Sequence, residues 1–175
     1  RVVLNVGCFG AVRPLKNQLI QAIAAIKYAN KYGKKLKFHI NVARIEGRGE
    51  PVLKNIRSLF ANNPKHELVE HQWLTHDEFI DLVQRMDLGM QVSFSETFNI
   101  VTADFVNNNI PVVVSDEISW VNRLYKAETT EVNSIVRKMR TALLLKTIKG
   151  QYLNKLNLFI NSVKSQKTWV KYFKP

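Results

Sequence analysis

The sequence has a single cysteine and no long hydrophobic run, and each absence excludes a class of protein. Because Cys8 has no partner in the chain, an internal disulfide is excluded and a reducing compartment is expected. The apolar runs are too short and too interrupted to span a bilayer as a helix. We therefore expect a soluble, cytoplasmic protein.

Clusters of metal-binding residues are also missing from the sequence. The four histidines do not form the ligand spacing of a zinc site, so we expect no metal and no cofactor. No internal repeat, low-complexity tract or inner linker divides the chain. Its 175 residues therefore predict one domain with a substantial core, spanning residues 1–175.

Acidic residues are scarce relative to basic ones, with 14 Asp and Glu against 26 Lys and Arg and a net charge of +12. Such a surface attracts phosphate polymers and anionic membranes. The basic residues cluster late in the chain, between interleaved aromatic residues: Arg137, Lys138, Arg140, Lys146, Lys149, Lys155, Lys164, Lys167, Lys171 and Lys174, with Tyr152, Trp169, Tyr172 and Phe173. Two alternatives stay open for this segment. It is either a solvated helix face or a surface for nucleic acid or for the inner face of an anionic membrane.

What the sequence does contain is a compact unit of strand, turn, helix and strand between residues 89 and 115. Apolar, β-branched runs predict buried strands over residues 89–94 and 112–114. We expect Ser95 or Thr97 to cap the intervening helix, and the three asparagines at 107–109 to end it in a left-handed turn. Ligands of open parallel sheets bind beyond the carboxyl ends of the strands, so residues 95–99 are predicted to lie at a ligand site.

Two acids lie in this unit, Glu96 at the tip of the turn and Asp104 eight residues later. Two helical turns would separate them by roughly 12 Å along the helix axis. Carboxylates accept paired hydrogen bonds from vicinal hydroxyls, which favours a sugar at one acid, a ribose at the other and phosphates between them. The alternative is that Glu96 only stabilises the helix N-terminus and that Asp104 is a solvated helix residue.

The segment Glu96-TFNIVTA-Asp104 resembles the donor-binding motif of family 4 glycosyltransferases with the GT-B fold, in which two acids bracket seven residues. The flanking VSFSETFN and PVVVS are similar to that family's strands. Two departures are that the second acid is Asp instead of the commoner Glu, and that Thr97-Phe98-Asn99 replaces Gly-Phe-Gly. The resemblance implies that Glu96 orients the donor sugar and that Asp104 holds the ribose hydroxyls. It also implies that sugar or phosphate contacts the backbone amides of Thr97, Phe98, Asn99 and Ile100.

A second resemblance lies at the N-terminus, where a predicted strand over residues 2–6 is followed by a glycine-containing loop and a helix. This loop is similar to the phosphate loop of the same family, in which an Arg and a Lys bind the donor diphosphate. The resemblance assigns these roles to Arg13 and Lys16, with Gly10 in the same loop. Two cations would offset the charge of a leaving nucleoside diphosphate without a metal. The alternative is two exposed basic residues in a lysine-rich protein.

The remaining sequence continues to alternate between helices and strands. We predict helices over residues 17–31, 50–60, 75–83, 118–125, 131–146 and 152–164, and strands over 37–42 and 67–70. Thr75 and Glu78 form a capping box for the third helix. The alternation predicts a doubly wound, Rossmann-like α/β domain with a mostly parallel sheet flanked by helices, one half of a GT-B fold. By the resemblance, Leu74 lies where the family's loop passes the nucleotide base.

The resemblance implies a hexosyltransferase-like enzyme that transfers a sugar from a nucleoside diphosphate donor to a hydroxyl acceptor with retention. We expect the chain to be its donor-binding domain, a fragment that lacks the N-terminal acceptor domain and is inactive alone. Residues 168–173 resemble the tail that crosses back toward that domain. Two other classes stay open. A basic nucleic-acid-binding module would bind in a strongly salt-dependent way that survives loss of Glu96 and Asp104, and a nucleotide-sugar epimerase would interconvert donor sugars without an acceptor.

Overall fold

The computed structural model describes residues 2–146 and the helix 151–172, and within that helix the side chains of residues 152–166. The strands in these ranges are β1 (Val3–Gly7), β2 (Lys35–Asn41), β3 (Glu67–His71), β4 (Leu88–Gln91) and β5 (Val112–Val114). The helices are α1 (Gln18–Lys31), α2 (Glu50–Ala61), α3 (His76–Gln84), α4 (Ile100–Asn107), α5 (Val132–Leu145) and α6 (Gln151–Tyr172). Short 3-10 turns occupy Pro14–Lys16 and Arg123–Tyr125.

The five strands form one parallel sheet in the order β3-β2-β1-β4-β5. Helix α1 packs against α2 and α5, whereas α4 packs against α3 and α6, so the helices form a layer on each face. The predicted doubly wound α/β fold is confirmed. The strand order reverses between β1 and β4, and a crevice at their carboxyl ends is where such sheets bind ligands.

The core lies around the sheet, and every residue of β4 and of the edge strand β5 is buried. Helices cover both faces of a parallel sheet, which explains the apolar residues of these two strands. Helix α4 lies very close to β4 at Gly89. A Cβ atom added to this glycine would lie only 2.7 Å from the Phe105 ring. In the described ranges, none of the helices is long and apolar enough to cross a bilayer.

Three predicted boundaries were wrong. Strand β4 ends at Gln91 and not at residue 94, because the Val92 N–H donates to the Gln21 side chain and the Phe94 N–H to the Leu15 carbonyl. The predicted helix over 118–125 is reduced to the 3-10 turn that Asn122 caps through the Leu124 N–H. Helix α6 continues to Tyr172, beyond the predicted end at residue 164.

Two stacked histidines on neighbouring strands connect β2 and β3. The His39 and His71 rings lie 5.2 Å apart, and His39 Nδ1 is 2.9 Å from His71 Nε2. His39 Nε2 lies 3.1 Å from Asn5 Oδ1. Because an amide oxygen only accepts, His39 Nε2 donates to Asn5. When the His39 ring is neutral, its Nδ1 then accepts from His71. Burial, followed by the charges of His71 and Lys37, lowers the pKa of His39 to about 4.

We expect acidification to destabilise the fold through His39. Its pKa is 6.5 in the unfolded chain and about 4 in the folded one, so the unfolded chain takes up the proton first. The free energy of unfolding should be constant above pH 6.5 and fall by about 3 kcal/mol as the pH drops to 4. Urea denaturation at a series of pH values measures this. A His39→Gln variant should show a flatter pH dependence, and an unchanged slope would contradict the assignment.

Candidate functional site

Two loops meet at the carboxyl edge of the sheet, at the point where the strand order reverses. One follows β1 and runs over residues 8–17, and the other follows β4 and runs over residues 92–99. Strands β1 and β4 pair at Gly7 and Gly89, which brings the two loops side by side. The Phe94 N–H donates to the Leu15 carbonyl at 2.9 Å and joins them directly.

Lys16, Arg13 and Glu96 form an ion cluster between these loops. Lys16 Nζ donates to Glu96 Oε1 at 2.7 Å, and Arg13 Nη2 lies 3.6 Å from the same oxygen. Lys16 is only 5% exposed, whereas about a third of the Arg13 side chain faces solvent. The structure therefore brings together the acid and the two cations that the two sequence motifs contributed separately.

The Glu96 carboxyl is ionised at neutral pH. Burial raises its pKa, but the hydrogen bond and the charge of Lys16, with smaller effects of Ser93 and Asn99, outweigh burial and lower the pKa below its ordinary value. The cluster thus contains two cations and one carboxylate. Its surplus positive charge suits a phosphate, whose oxygens accept charge-assisted hydrogen bonds from Arg and Lys.

Gly10 lies directly against the ammonium group of Lys16. Its φ is +113°, in the region that favours glycine, and its N–H donates to Asn41 Oδ1 at 2.8 Å. A Cβ at this position would lie 3.1 Å from both Cε and Nζ of Lys16. The backbone conformation therefore favours glycine, and a larger side chain would also press on the end of Lys16.

Asn99 caps helix α4, and the prediction that Ser95 or Thr97 does so was wrong. Asn99 adopts a left-handed conformation, with a φ of 60°, and its Oδ1 accepts from the Thr102 N–H at 2.7 Å. The residues from Ser95 to Phe98 are bends and irregular backbone before the helix, which begins only after Asn99 because asparagine tolerates the left-handed conformation and provides the cap. Glu96 therefore lies before the helix, and its separation from Asp104 is not two helical turns. The predicted left-handed stop is confirmed at Asn109, with a φ of 59°.

Buried amide side chains hold the two loops together, and sequence reasoning missed them. Asn99 Nδ2 donates to Gln91 Oε1 at 3.0 Å, and Gln91 Nε2 donates to the Phe9 carbonyl at 2.8 Å. Asn17 Nδ2 donates to the Val92 carbonyl, and Gln21 Nε2 donates to the Lys16 carbonyl. One signal in the sequence could have indicated this network. Gln91 ends an apolar strand, and a fully buried amide side chain requires hydrogen-bond partners.

Asn99→Ala is expected to destabilise the chain by about 2 kcal/mol, because it removes the helix cap and leaves the buried Gln91 oxygen without its donor. Asn99→Asp keeps the capping oxygen, but it turns an oxygen toward Gln91 Oε1 and adds a buried negative charge beside Glu96. Chemical denaturation should therefore show both variants to be less stable than the parent. Equal stability of Asn99→Ala and the parent would show that the network does not hold the loop.

Asp104 lies apart from the ion cluster, in the second turn of α4. Burial raises its pKa, and the charge of His76 partly offsets this. His76 is the first residue of α3, so Asp104 lies beside the loop that contains Leu74. Leu74 packs against the core, whereas its neighbour Trp73, which sequence reasoning did not single out, is 76% exposed.

Thr97, Phe98 and Ile100 form an exposed rim in front of Glu96. The Trp120 indole N–H donates to the Phe98 carbonyl at 2.7 Å, and the two rings lie 5.6 Å apart. This contact ties the backbone of the rim to the segment 115–125, in which Trp120 lies.

Cys8 and the histidines offer little chemistry in this region. Burial raises the pKa of the Cys8 thiol to about 12, so the thiol stays protonated and unreactive. Among the residues that the structure describes, no group of three or more His, Cys, Asp or Glu is placed to hold a metal ion.

Parts of the late basic segment and of the predicted tail lie outside the described residues. These are Lys149, Phe173 and Lys174, together with the side chains of Lys167, Thr168, Trp169, Val170, Lys171 and Tyr172.

Comparison with known proteins finds similarity in structure. No protein-family model matches the chain, and no curated protein is similar to it in sequence. A solved C-terminal domain of a glycosyl transferase group 1 family protein from Francisella tularensis has a TM-score of 0.73 at 16% identity, covering 93% of this chain and 86% of that one. An α,α-trehalose 6-phosphate synthase from Burkholderia multivorans has a TM-score of 0.76 at 10% identity, covering 98% and 44%.

A third similar structure is described as trehalose-6-phosphate from E. coli bound with UDP-2-fluoro glucose. Its TM-score is 0.73 at 14% identity, and the match covers 97% of this chain and 44% of that one. The chain thus spans less than half the length of two of these proteins and most of the isolated C-terminal domain. At these identities the likeness shows the fold, which is that of the C-terminal domain of GT-B glycosyltransferases, as predicted.

Proposed function

We propose that this chain is the donor-binding domain of a glycosyltransferase that uses a nucleoside diphosphate sugar. The ion cluster of Lys16, Arg13 and Glu96, at the point where the strand order reverses, is the observation that carries the proposal. Such clusters bind phosphate through the cations and hydroxyl groups through the carboxylate. The GT-B neighbours, one of which was bound with UDP-2-fluoro glucose, support this ligand class.

In the proposed complex, Lys16 and Arg13 bind the diphosphate and Glu96 accepts hydrogen bonds from the donor sugar. Asp104 binds the ribose hydroxyls, and Leu74 contacts the base. Gly10 and the amides of Thr97, Phe98, Asn99 and Ile100 lie along the phosphates and the sugar. The two cations stabilise the leaving diphosphate as the glycosidic bond to it breaks, which is electrostatic stabilisation of developing charge.

We further propose that the transfer proceeds with retention to a hydroxyl acceptor that another domain of a larger protein binds. A similar structure, with a TM-score of 0.70, concerns enzymatic glycosyltransfer with retention by trehalose-6-phosphate synthase. Because this chain covers less than half of that structure's length, a second domain in the larger protein is supported. Without the acceptor wall and domain closure, the chain alone is expected to bind donor and to transfer no sugar.

The ribose assignment provides a direct test of the proposal. Asp104→Asn should weaken binding of a nucleoside diphosphate about tenfold, because a hydrogen bond to a charged group is replaced by a neutral one. The same variant should bind the 2′,3′-dideoxy analogue and inorganic pyrophosphate as the parent does. Titration calorimetry with UDP, GDP and ADP measures these affinities and identifies the base. Asp81→Asn, at an exposed position of α3, is the matched control.

Other outcomes would identify the remaining classes. A nucleic-acid-binding module would bind oligonucleotides with an affinity that falls steeply with salt and does not depend on Asp104. An epimerase would interconvert the bound donor sugar without an acceptor. Binding of none of the three nucleotides by folded protein would contradict the proposed function.

A further inference from the structure

Helix α6 contacts the domain through Asn154 and Leu158 and presents a second, larger apolar side to solvent. Asn154 is 3% exposed, and its Oδ1 accepts from the Asn122 N–H at 2.9 Å. On the opposite side, Tyr152 and Phe159 are 66% and 65% exposed, and Leu156 between them is also exposed. Leu153 and Ile160 extend the same apolar surface. A helix that packs on a soluble domain normally shows the reverse arrangement, with its apolar stripe facing the core.

These five residues, Tyr152, Leu153, Leu156, Phe159 and Ile160, are called the outer face. Their spacing of three, four and seven residues places them on one side of the helix over two turns. A contiguous apolar surface of this kind marks an interaction site. Its aromatic and leucine side chains are those that amphipathic helices insert at the boundary between lipid headgroups and acyl chains.

The charge around the outer face indicates what it contacts. From Val132 to the C-terminus the sequence contains ten Lys or Arg and no Asp or Glu. On a helix, Lys155 and Lys164 lie on the two flanks of the outer face, where their ammonium groups can reach lipid phosphates. Protein interfaces are depleted in lysine, whereas lipid-bound amphipathic helices are rich in it at their polar boundary.

A polar cleft adjoins the outer face at Ile160. It has a volume of about 280 Å³, and Ser119, Trp120, Asn157, Asn161 and Lys164 also line it. An ammonium group and two side-chain amides are suitable donors for a phosphate headgroup. Since Trp120 also binds the Phe98 carbonyl, this cleft is one side chain away from the rim of the candidate site.

We propose that the outer face of α6 binds the surface of an anionic lipid membrane, with the apolar side chains inserted and a lipid phosphate in the cleft. The bilayer would lie along α6, on the side of the helix that faces away from α4. This arrangement keeps the carboxyl edge of the sheet open to a water-soluble donor close to the membrane. The proposal does not depend on the identity of that donor.

Flotation of the full 175-residue chain with lipid vesicles tests the proposal. Vesicles with equal parts of phosphatidylglycerol and phosphatidylcholine should bind the chain, and pure phosphatidylcholine vesicles should bind it at least about tenfold more weakly. Phe159→Asp should reduce binding at least about tenfold, because it places a charge in the inserted face. Lys155→Gln should reduce it about fivefold. Leu144→Asp, at an exposed leucine of α5, should have no effect and is the matched control.

Circular dichroism should show that the Phe159→Asp variant is as folded as the parent, since the side chain is exposed. Equal binding to both kinds of vesicle, or equal binding of Phe159→Asp and the parent, would overturn the proposal. Sedimentation velocity without lipid should show a monomer. A dimer that Phe159→Asp converts to a monomer would instead make the outer face an interface between two copies and would also overturn it.

Discussion

Lys16→Met is expected to lower the affinity for inorganic pyrophosphate, and for whichever nucleoside diphosphate the chain binds, by about 100-fold. Lys16 is buried, and its ammonium group points at Glu96 Oε1 from 2.7 Å. A phosphate that enters the cluster would receive this donor in surroundings where water competes little. Arg13 is the more exposed of the two cations, so Arg13→Ala should have the smaller effect.

Two variants separate a loss of binding from a loss of folding. Lys16→Met alone leaves the largely buried Glu96 carboxylate with Arg13 at 3.6 Å, which should also destabilise the fold. Lys16→Met with Glu96→Gln removes both charges and should recover stability, but it should still bind pyrophosphate about 100-fold more weakly than Glu96→Gln alone. Lys54→Met removes one positive charge from an exposed position of α2 and should leave affinity unchanged. Tight pyrophosphate binding by a stable double variant would show that Lys16 is not the phosphate ligand.

Glu96→Gln is expected to have opposite effects on the two halves of the donor. Its carboxylate occupies both cations in the ligand-free chain and repels an incoming phosphate, so its neutralisation should strengthen pyrophosphate binding about tenfold. The sugar half should lose a charged hydrogen-bond acceptor. Relative to the nucleoside diphosphate, the nucleotide sugar should therefore bind more weakly in the variant than it does in the parent.

Calorimetric titration of pyrophosphate, nucleoside diphosphate and nucleotide sugar into parent and variant measures both effects. Glu117→Gln, which removes an exposed acid in the 115–125 segment, controls for the change in net charge. Weaker pyrophosphate binding by Glu96→Gln would mean that the carboxylate supports the phosphate site, for example by fixing Lys16, and does not compete for it. In a full-length enzyme the same variant should lower the transfer rate, because the donor sugar loses its orientation.

Sequence reasoning placed most elements correctly where the local signal was strong. The capping box of Thr75 and Glu78, the buried valines of β5 and the left-handed stop at Asn109 are all present in the structure. It failed where a distant partner decides the local conformation. The chain leaves β4 at Gln91 because the Gln21 side chain, from α1, accepts the N–H of Val92 and the Leu15 carbonyl, from the other loop, accepts the N–H of Phe94.

The same division holds for the candidate site. Arg13, Lys16, Glu96 and Asp104 stood out from their motifs, but no local pattern indicated that Lys16 and Glu96, 80 residues apart, share a hydrogen bond. Gln91 was overlooked, and Asn99 was assigned only a ligand role, although both side chains hold the loops together. A single polar residue in an apolar run carries no information about its partner.

Local signals along the chain were enough to predict the α/β class, the parallel sheet and the two charged loops, because periodicity, capping and turn residues act within a few positions. Three further features arise only in the folded domain: the contact of Glu96 with both cations, the separate position of Asp104 beside His76, and the outward orientation of the apolar side of α6. Each of these depends on which elements become neighbours in the folded sheet, and neighbours in space are set by packing across the whole domain.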